Sequence, residues 1–161
     1  IEGGTGSNSE SLYQPIHFPE YLESGTLNTP AIVGLKEGIN FIKKTGIETI
    51  NNHKNSLLKV LYDEIYKIKN ITMYSNIYTN KNSGIIAFNI NDIDSTQISY
   101  ILDTKYGIAT RSGLHCSPLA HKTLGTISQG IVRVSLSYFN TLNEINLLIK
   151  AIFEISKSYT S

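Results

Sequence analysis

The stretch "GIVRVSLSY" at residues 130–138 alternates apolar and polar side chains at almost every second position. Successive side chains of a β-strand point to opposite faces, so the alternation predicts a strand with one face in a core. The predicted apolar face holds Val132, Val134, Leu136 and Tyr138, and the opposite face holds Ile131, Arg133, Ser135 and Ser137. The chain is therefore expected to contain a sheet that is buried on one side.

Capping signals and the spacing of apolar residues predict helices around this strand. The expected helices are Thr29–Pro30 to about Lys44, Ile47 to about Asn70, Ser95 to about Lys105, one or two turns in "PLAHKTLG", and a last helix capped by Thr141 with Glu144. The runs "ITMYS", "GIIAFNI" and "IATR" are expected to be further strands. The order is a helical segment followed by a ββαβ(α)βα layer.

Length and composition exclude several classes of protein. The chain has 161 residues, enough for one compact domain, and 14 Lys and Arg against 13 Asp and Glu. This balance does not indicate a nucleic acid or an anionic membrane as partner, and no apolar run approaches the roughly 18 to 20 residues of a membrane span. One cysteine cannot form an internal disulfide, so we expect a cytoplasmic location. Because the chain starts with Ile1 in a glycine- and serine-rich loop, we expect it to be a piece of a longer protein.

The single cysteine, Cys116, lies in "RSGLHC" beside His115 and five residues after Arg111. A lone cysteine is most often a small buried apolar residue. Nearby cations and the start of a helix lower the pKa of a thiol, so a nucleophile is an equal alternative. With His121, these residues give two imidazoles and one thiol without a carboxylate, an incomplete ligand set, and we expect no metal.

Arg133 is expected on the polar face of its strand. Its two interpretations are a surface salt bridge and a forked donor that binds a substrate carboxylate. The segment "GGTGSNS" also has two interpretations, since glycines and hydroxyl groups cradle phosphates but such segments are more often only flexible.

Four stretches in order carry a resemblance: "EGGTGS", "ESGTLNTPAIVGL", "RSGLHC" and "VRVSLSYFNTLNEI". Together they resemble the C-terminal part of class V aminotransferases, pyridoxal-phosphate enzymes, in the branch of cysteine desulfurases and selenocysteine lyases. The resemblance implies an α/β (α+β) fold, the small C-terminal domain of a fold type I enzyme, with a mostly antiparallel sheet and helices packed on one face. Residues 1–29 would be an arm from the large domain and residues 30–161 the small domain.

The resemblance also implies a function. The intact enzyme would use pyridoxal 5′-phosphate to remove sulfur from cysteine, giving alanine and a persulfide on Cys116, for sulfur metabolism such as iron–sulfur cluster assembly. His115 would assist proton transfer or stabilise the thiolate. Arg133, with Arg111 as a second arginine, would bind the substrate carboxylate. The residues implied for the cofactor phosphate are Gly3, Gly4, Thr26 and Thr5. Implied partners are a second subunit in a homodimer, a small amino acid and a sulfur-acceptor protein.

Two departures from the family keep alternatives open. The lysine that carries the cofactor as a Schiff base would lie before residue 1, so the isolated chain is expected to be inactive and not to bind the cofactor. Leu114 stands where well-known desulfurases have a second histidine, which leaves the substrate open. The alternatives are a selenocysteine lyase, a class V transaminase or other lyase, and a noncatalytic α/β binding domain.

Overall fold

A computed structural model describes residues 6–78 and 83–159 of the chain. It divides into two units, Ile1–Gly46 and Ile47–Ser161. The first unit contains a short 3₁₀ turn, Glu20–Leu22, and helix α1, Thr29–Thr45. Asn28 caps α1 by accepting a hydrogen bond from the backbone N–H of Ala31, so the cap lies one residue before the predicted Thr29. Every residue of α1 is at least partly exposed within this chain.

The second unit holds the sheet and the remaining helices. Its elements are α2 (Ile47–Ile65), β1 (Ile71–Met73), β2 (Ile85–Ile90), α3 (Ser95–Tyr106), α4 (Pro118–Leu124), β3 (Val132–Ser135) and α5 (Leu142–Ser158). The strands form one antiparallel sheet in the order β1-β2-β3. This agrees with the predicted fold class, although α2 ends before Asn70 and β3 is shorter than the predicted run of nine residues.

The core lies between one face of this sheet and the helices. Phe88 of β2 and Val132 of β3 are fully buried, and they belong to the same cluster as Leu61 of α2, Ile98 of α3 and Ile152 of α5. Helix α5 begins with the predicted capping box, in which Thr141 and Glu144 exchange side-chain to backbone hydrogen bonds. The predicted helices on one face of the sheet are thus confirmed within the second unit, and Arg133 lies on the other face of β3.

Two sequence predictions near the sheet were wrong. Asp94, not Ser95, caps α3 by accepting from the N–H of Thr96. The predicted strand "IATR" is reduced to a single bridge between Arg111 and Arg133. The segment is too short for a strand because the Ile108 N–H still bonds to Leu102 at the end of α3. Among the described residues, no helix is long and apolar enough to cross a bilayer.

Candidate active site

The segment from Arg111 to Ser117 runs beside β3 and carries the thiol. Arg111 and Arg133 exchange both backbone hydrogen bonds, with N–O distances of 3.2 and 2.7 Å. Residues that pair in this way lie directly opposite each other, and their side chains point to the same face of the sheet. The bridge therefore places the side chains of both arginines on the sheet face opposite the core, which we call the open face.

Cys116 lies at the tip of a tight turn. The Ser117 N–H donates to the Leu114 carbonyl over 2.8 Å, and the two central residues, His115 and Cys116, have positive φ values of 50° and 56°. Two positive φ values at the centre of a four-residue turn are the pattern of a type I′ turn, which normally selects glycine or asparagine. The turn exposes the thiol, so the interpretation of Cys116 as buried filler is wrong.

The thiol has a cationic neighbour. The Nη2 of Arg111 lies 3.8 Å from the Sγ of Cys116, within the range of a hydrogen bond to sulfur. A guanidinium keeps its positive charge at any physiological pH. Cys116 also lies two residues before Pro118, the first residue of α4, close to the helix start as predicted. The geometry therefore places an exposed thiol beside a fixed positive charge.

Three residues behind the turn hold it against the sheet. The hydroxyl of Ser95 accepts from the Gly113 N–H over 3.2 Å, and the Gly113 carbonyl accepts from Ile131 over 3.2 Å. Gly130 has a φ of +66°, and a Cβ there would collide with the Ser95 hydroxyl and approach the Gly113 Cα to 2.9 Å. Sequence reasoning missed Ser95 and Gly130 because these contacts join residues far apart along the chain.

His115 is held as a neutral ring. Its Nε2 lies 3.0 Å from the Ile131 carbonyl, which can only accept, so Nε2 carries the proton and the neutral ring has its lone pair on Nδ1. Burial lowers the pKa of His115, and the charges of Arg133, Arg111 and the nearby His121 lower it further, while the bond to Ile131 opposes them. Nδ1 is buried and has no partner among the described residues, so a proton acceptor is available there.

His121 has a structural environment. It is buried in α4, and its Nδ1 lies 2.9 Å from the hydroxyl of Thr126. Its ring centroid is 5.9 Å from that of His115. Within residues 6–78 and 83–159, no three His, Cys, Asp or Glu side chains come together as a metal site requires. His121 therefore packs α4 against the loop that leads to β3.

Arg133 has donors without an acceptor. It lies opposite Ala87 of β2 on the open face, and its Nε is buried with no hydrogen-bond partner in the described part of the chain. The ion pairs there are Lys67–Glu64 and Lys105–Glu154, so the predicted surface salt bridge of Arg133 is not formed within those residues. Like charges placed opposite each other repel. An anionic ligand would relieve that repulsion and satisfy the buried donor.

The residues predicted for the cofactor phosphate lie in the first unit. Gly3, Gly4 and Thr5 are outside the described residues. Thr26 lines a cavity of about 370 Å³ together with Gly6, Ser7 and Gly25, but also with Glu20 and Glu23. A Cβ at Gly6 would come within 3.3 Å of the Gly25 carbonyl, so the two glycines allow a close approach of the backbone. The hydroxyl groups suit a phosphate, whereas the two carboxylates oppose it.

Comparison with known proteins identifies the family of the chain. The model of the family "Aminotransferase class-V" matches residues 2–148. A protein of Methanothermobacter thermautotrophicus described as "Probable cysteine desulfurase" is 38% identical over 97% of this chain. The cysteine desulfurase of Wigglesworthia glossinidia brevipalpis is 32% identical over 97% of the chain. The chain spans only 39% and 38% of the length of these two relatives.

A solved structure supports the same assignment. The apo structure of a cysteine desulfurase from Thermococcus onnurineus NA1 matches with a TM-score of 0.81 and 27% identity. The match covers 98% of this chain and 39% of that one. The family match extends over nearly the whole chain and includes both the cysteine turn and β3. The chain therefore belongs to the class V aminotransferase family.

Proposed function

We propose that this chain provides the thiol and the carboxylate-binding arginines of a pyridoxal-phosphate-dependent cysteine desulfurase. The observation that carries the proposal is the exposed Cys116 thiol with the Arg111 guanidinium 3.8 Å from its sulfur. Arg133, paired with Arg111 across the bridge, supplies a second cation on the same face. A nucleophile and an anion-binding pair thus share one surface of the sheet.

The proposed thiol chemistry is a sulfur transfer. The thiolate of Cys116 attacks the substrate sulfur, forming an S–S bond as the C–S bond of the substrate breaks. The electron pair of the broken bond stays on the substrate carbon, and protonation there gives alanine. The enzyme sulfur then carries a persulfide. His115 is the proposed proton-transfer neighbour of the thiol, and Arg111 would hold the charge of the thiolate.

The proposed role of Arg133 is to orient the substrate. A guanidinium presents parallel N–H donors that match both oxygens of a carboxylate, which a lysine does not. The buried and unpaired Nε of Arg133 is such a donor, and Arg111 lies beside it. A bound carboxylate would satisfy the donor and screen the two positive charges from each other. The bound carboxylate would thereby orient the substrate so that its sulfur points towards the Cys116 thiol.

The cofactor phosphate would be held by Thr26 with the glycine segment, including Gly3, Gly4 and Thr5 as the resemblance implies. The closeness of Gly6 and Gly25 and the hydroxyl groups around Thr26 support this. Pyridoxal phosphate, when bound, withdraws electrons from the substrate carbon and thereby makes its sulfur open to attack. We propose that the lysine that carries it lies in the part of the relatives that this chain does not span. A homodimer, a sulfur-acceptor protein and a cytoplasmic location are parts of the same proposal.

The decisive experiment measures sulfide and alanine formed from cysteine by the full-length protein, with an added dithiol that reduces the enzyme persulfide and releases its outer sulfur as sulfide. We expect the Cys116→Ala variant to lose sulfide release while it retains the absorbance of the bound cofactor. Ser128→Ala, an exposed small polar residue outside the turn, is the control and should keep wild-type turnover. Unchanged sulfide release by Cys116→Ala would contradict the proposal. Transfer of the amino group of cysteine to an added keto acid, without release of sulfide, would indicate a transaminase instead.

The substrate is tested in the same assay. Leu114 occupies the first position of the turn and is 37% exposed, so it presents an apolar surface beside the thiol. We propose cysteine as substrate and selenocysteine as the alternative. Comparing kcat/KM for the two substrates in the wild type and in Leu114→His tests whether this position contributes to the choice.

A further inference from the structure

A groove of about 740 Å³ lies between α5 and the turn that follows α2. Its apolar surface comes from Ile68 on one wall and from Ile149 and Phe153 on the other. Phe153 is 43% exposed, whereas Leu148 and Ile152 of the same helix are buried. The groove shares no residue with the cysteine turn or with the arginine pair, so it is a separate surface.

The rim of the groove is cationic. Lys67 and Lys69 line one wall, and Lys150 and Lys157 line the other. The Nζ of Lys157 lies 4.3 Å from the centre of the Phe153 ring, which keeps the charge close to the apolar floor. Four lysines in one groove are a concentration of charge in a chain whose formal net charge is only +1.

The neighbouring carboxylates neutralise only part of the charge on this rim. Glu64, which also lines the groove, forms an exposed ion pair with Lys67 at 2.6 Å. Glu154 of α5 is not part of the lining, because it accepts a hydrogen bond from Tyr106 at 2.7 Å and lies 3.8 Å from Lys105. Lys69, Lys150 and Lys157 form no ion pair within 4 Å among the described residues, although the charge of Lys150 contributes to lowering the pKa of Glu154.

The spacing of the groove lysines indicates which kind of ligand fits. Lys150 and Lys157 lie seven residues apart on α5, about 10 Å along the helix axis, and the other two lysines face them across the groove. One small anion would contact only part of this row. A helix with apolar residues at positions i, i+4 and i+7 fills a groove of this form, and acidic residues on its flanks would meet both walls.

We propose that this groove binds an acidic amphipathic helix of a partner protein. Apolar side chains of the ligand pack on Ile149 and Phe153, and its carboxylates pair with the lysines of both walls. A nucleic acid would use the lysines but not the apolar floor. A membrane would need apolar side chains on a protruding surface, whereas here they line a recess between a helix and a turn.

The test uses the ¹⁵N-labelled 161-residue chain and a synthetic helical peptide of about 15 residues, roughly four turns. The peptide carries leucine at i, i+4 and i+7 and glutamate on both flanks. We expect saturable chemical-shift changes in the groove residues, with a Kd of about 1 to 100 μM. The double variant Lys150→Glu/Lys157→Glu should raise the Kd at least about tenfold, and Phe153→Ser should weaken binding as well.

The chain offers a matched control for the charge reversal. Lys36 and Lys43 are also seven residues apart on one helix, α1, and do not line the groove. Lys36→Glu/Lys43→Glu should leave the Kd unchanged, with thermal unfolding confirming that both double variants fold. Cys116→Ser should also bind the peptide normally, which separates this proposal from the proposed function.

Several results would overturn the proposal. These are no saturable binding at about 1 mM peptide, equal affinity for a peptide with lysine in place of glutamate, or equal weakening by the control variant. Shifts confined to residues outside the groove would also contradict it. Binding of anionic vesicles or of an oligonucleotide to the groove, without binding of the peptide, would assign the groove to a membrane or to nucleic acid instead.

Discussion

The two faces of the sheet differ in polarity and in their contribution to stability. On the helix face, Ile86, Phe88 and Val132 are completely buried in a core without charges. On the open face, Arg111 and Arg133 lie opposite each other, and a buried Nε lacks a partner in the described chain. The apolar face contributes stability, because burial removes its surface from water. The open face keeps unsatisfied donors and paired like charges, which reduce stability but suit an anionic ligand.

The largest expected effect is a loss of stability from a substitution on the face of the sheet that packs against the helices. Phe88→Ala removes a fully buried ring from the centre of β2. Loss of such a ring costs about 3 to 5 kcal/mol, from lost burial and from the cavity that remains. Urea denaturation of the chain should show this decrease in the free energy of unfolding. Phe139→Ala, whose ring is 73% exposed, should change it by less than about 1 kcal/mol. Equal losses in the two variants would contradict the assigned core.

The second prediction concerns Gly130, which lies two residues before β3 and packs against the backbone of the cysteine turn. Gly130→Ala introduces a Cβ that collides with Ser95 and lies 2.9 Å from the Gly113 backbone. Gly107 is a matched control, because it has the same φ of +66° and a Cβ added there would meet no atom within 4 Å. Gly107→Ala should cost about 1 to 2 kcal/mol from the left-handed backbone alone.

The collision should add a further loss of about 1 to 3 kcal/mol in Gly130→Ala. Denaturation curves of the two variants measure this difference directly. In the full-length protein, Gly130→Ala should also lower sulfide release, because the turn shifts with Gly113. Equal stabilities of the two alanine variants would show that the turn is not held by this contact.

The third prediction concerns the open face itself. Arg133→Met should leave the free energy of unfolding within about 0.5 kcal/mol, or raise it slightly, because the variant removes a repulsive pair. In the full-length protein it should lower kcat/KM for cysteine about tenfold to a hundredfold, as expected when charged hydrogen bonds worth about 1.5 to 3 kcal/mol are lost. Arg133→Lys keeps the positive charge but loses the paired N–H donors of the guanidinium. Its kcat/KM should therefore lie between those of the wild type and Arg133→Met. A stability loss as large as that of Phe88→Ala would assign Arg133 to the core.

Local patterns predicted much of this fold. The period of two in "GIVRVSLSY" placed Val132 and Arg133 on opposite faces, and the spacing of Thr141 and Glu144 located the start of α5. The caps of α1 and α3 were each missed by one residue, at Asn28 and Asp94. Asn and Thr, or Asp and Ser, are all good N-caps, so local chemistry does not choose between neighbours.

The geometry of the site depends on contacts that no local pattern contains. Neither His115 nor Cys116 is a residue that normally signals a left-handed turn, yet both adopt positive φ. The turn is held by Ser95 and Gly130, which are distant from it in sequence. The resemblance supplied the identity of the candidate residues, while the structure brought Arg111 to the thiol and Arg133 beside Arg111.

The smallest expected effect concerns His115 and depends on pH. The folded chain favours the neutral ring, because burial and the charges of Arg133, Arg111 and His121 lower the pKa of His115 below the usual value of about 6.5. In the unfolded chain His115 takes up a proton at about pH 6.5. The stabilising contribution of the neutral ring is therefore complete above that pH and is lost progressively as the pH falls towards the lower, folded pKa.

His115→Gln isolates this contribution. The amide N–H of glutamine replaces the donor to the Ile131 carbonyl but does not titrate. The free energy of unfolding, measured by urea denaturation between about pH 7.5 and 5.0, should fall more steeply for the wild type than for the variant. Other histidines are common to both chains and cancel in the difference. Parallel curves would mean that the ring has the same proton affinity in the folded and unfolded chain, and would contradict a neutral His115 on the cationic face of the sheet.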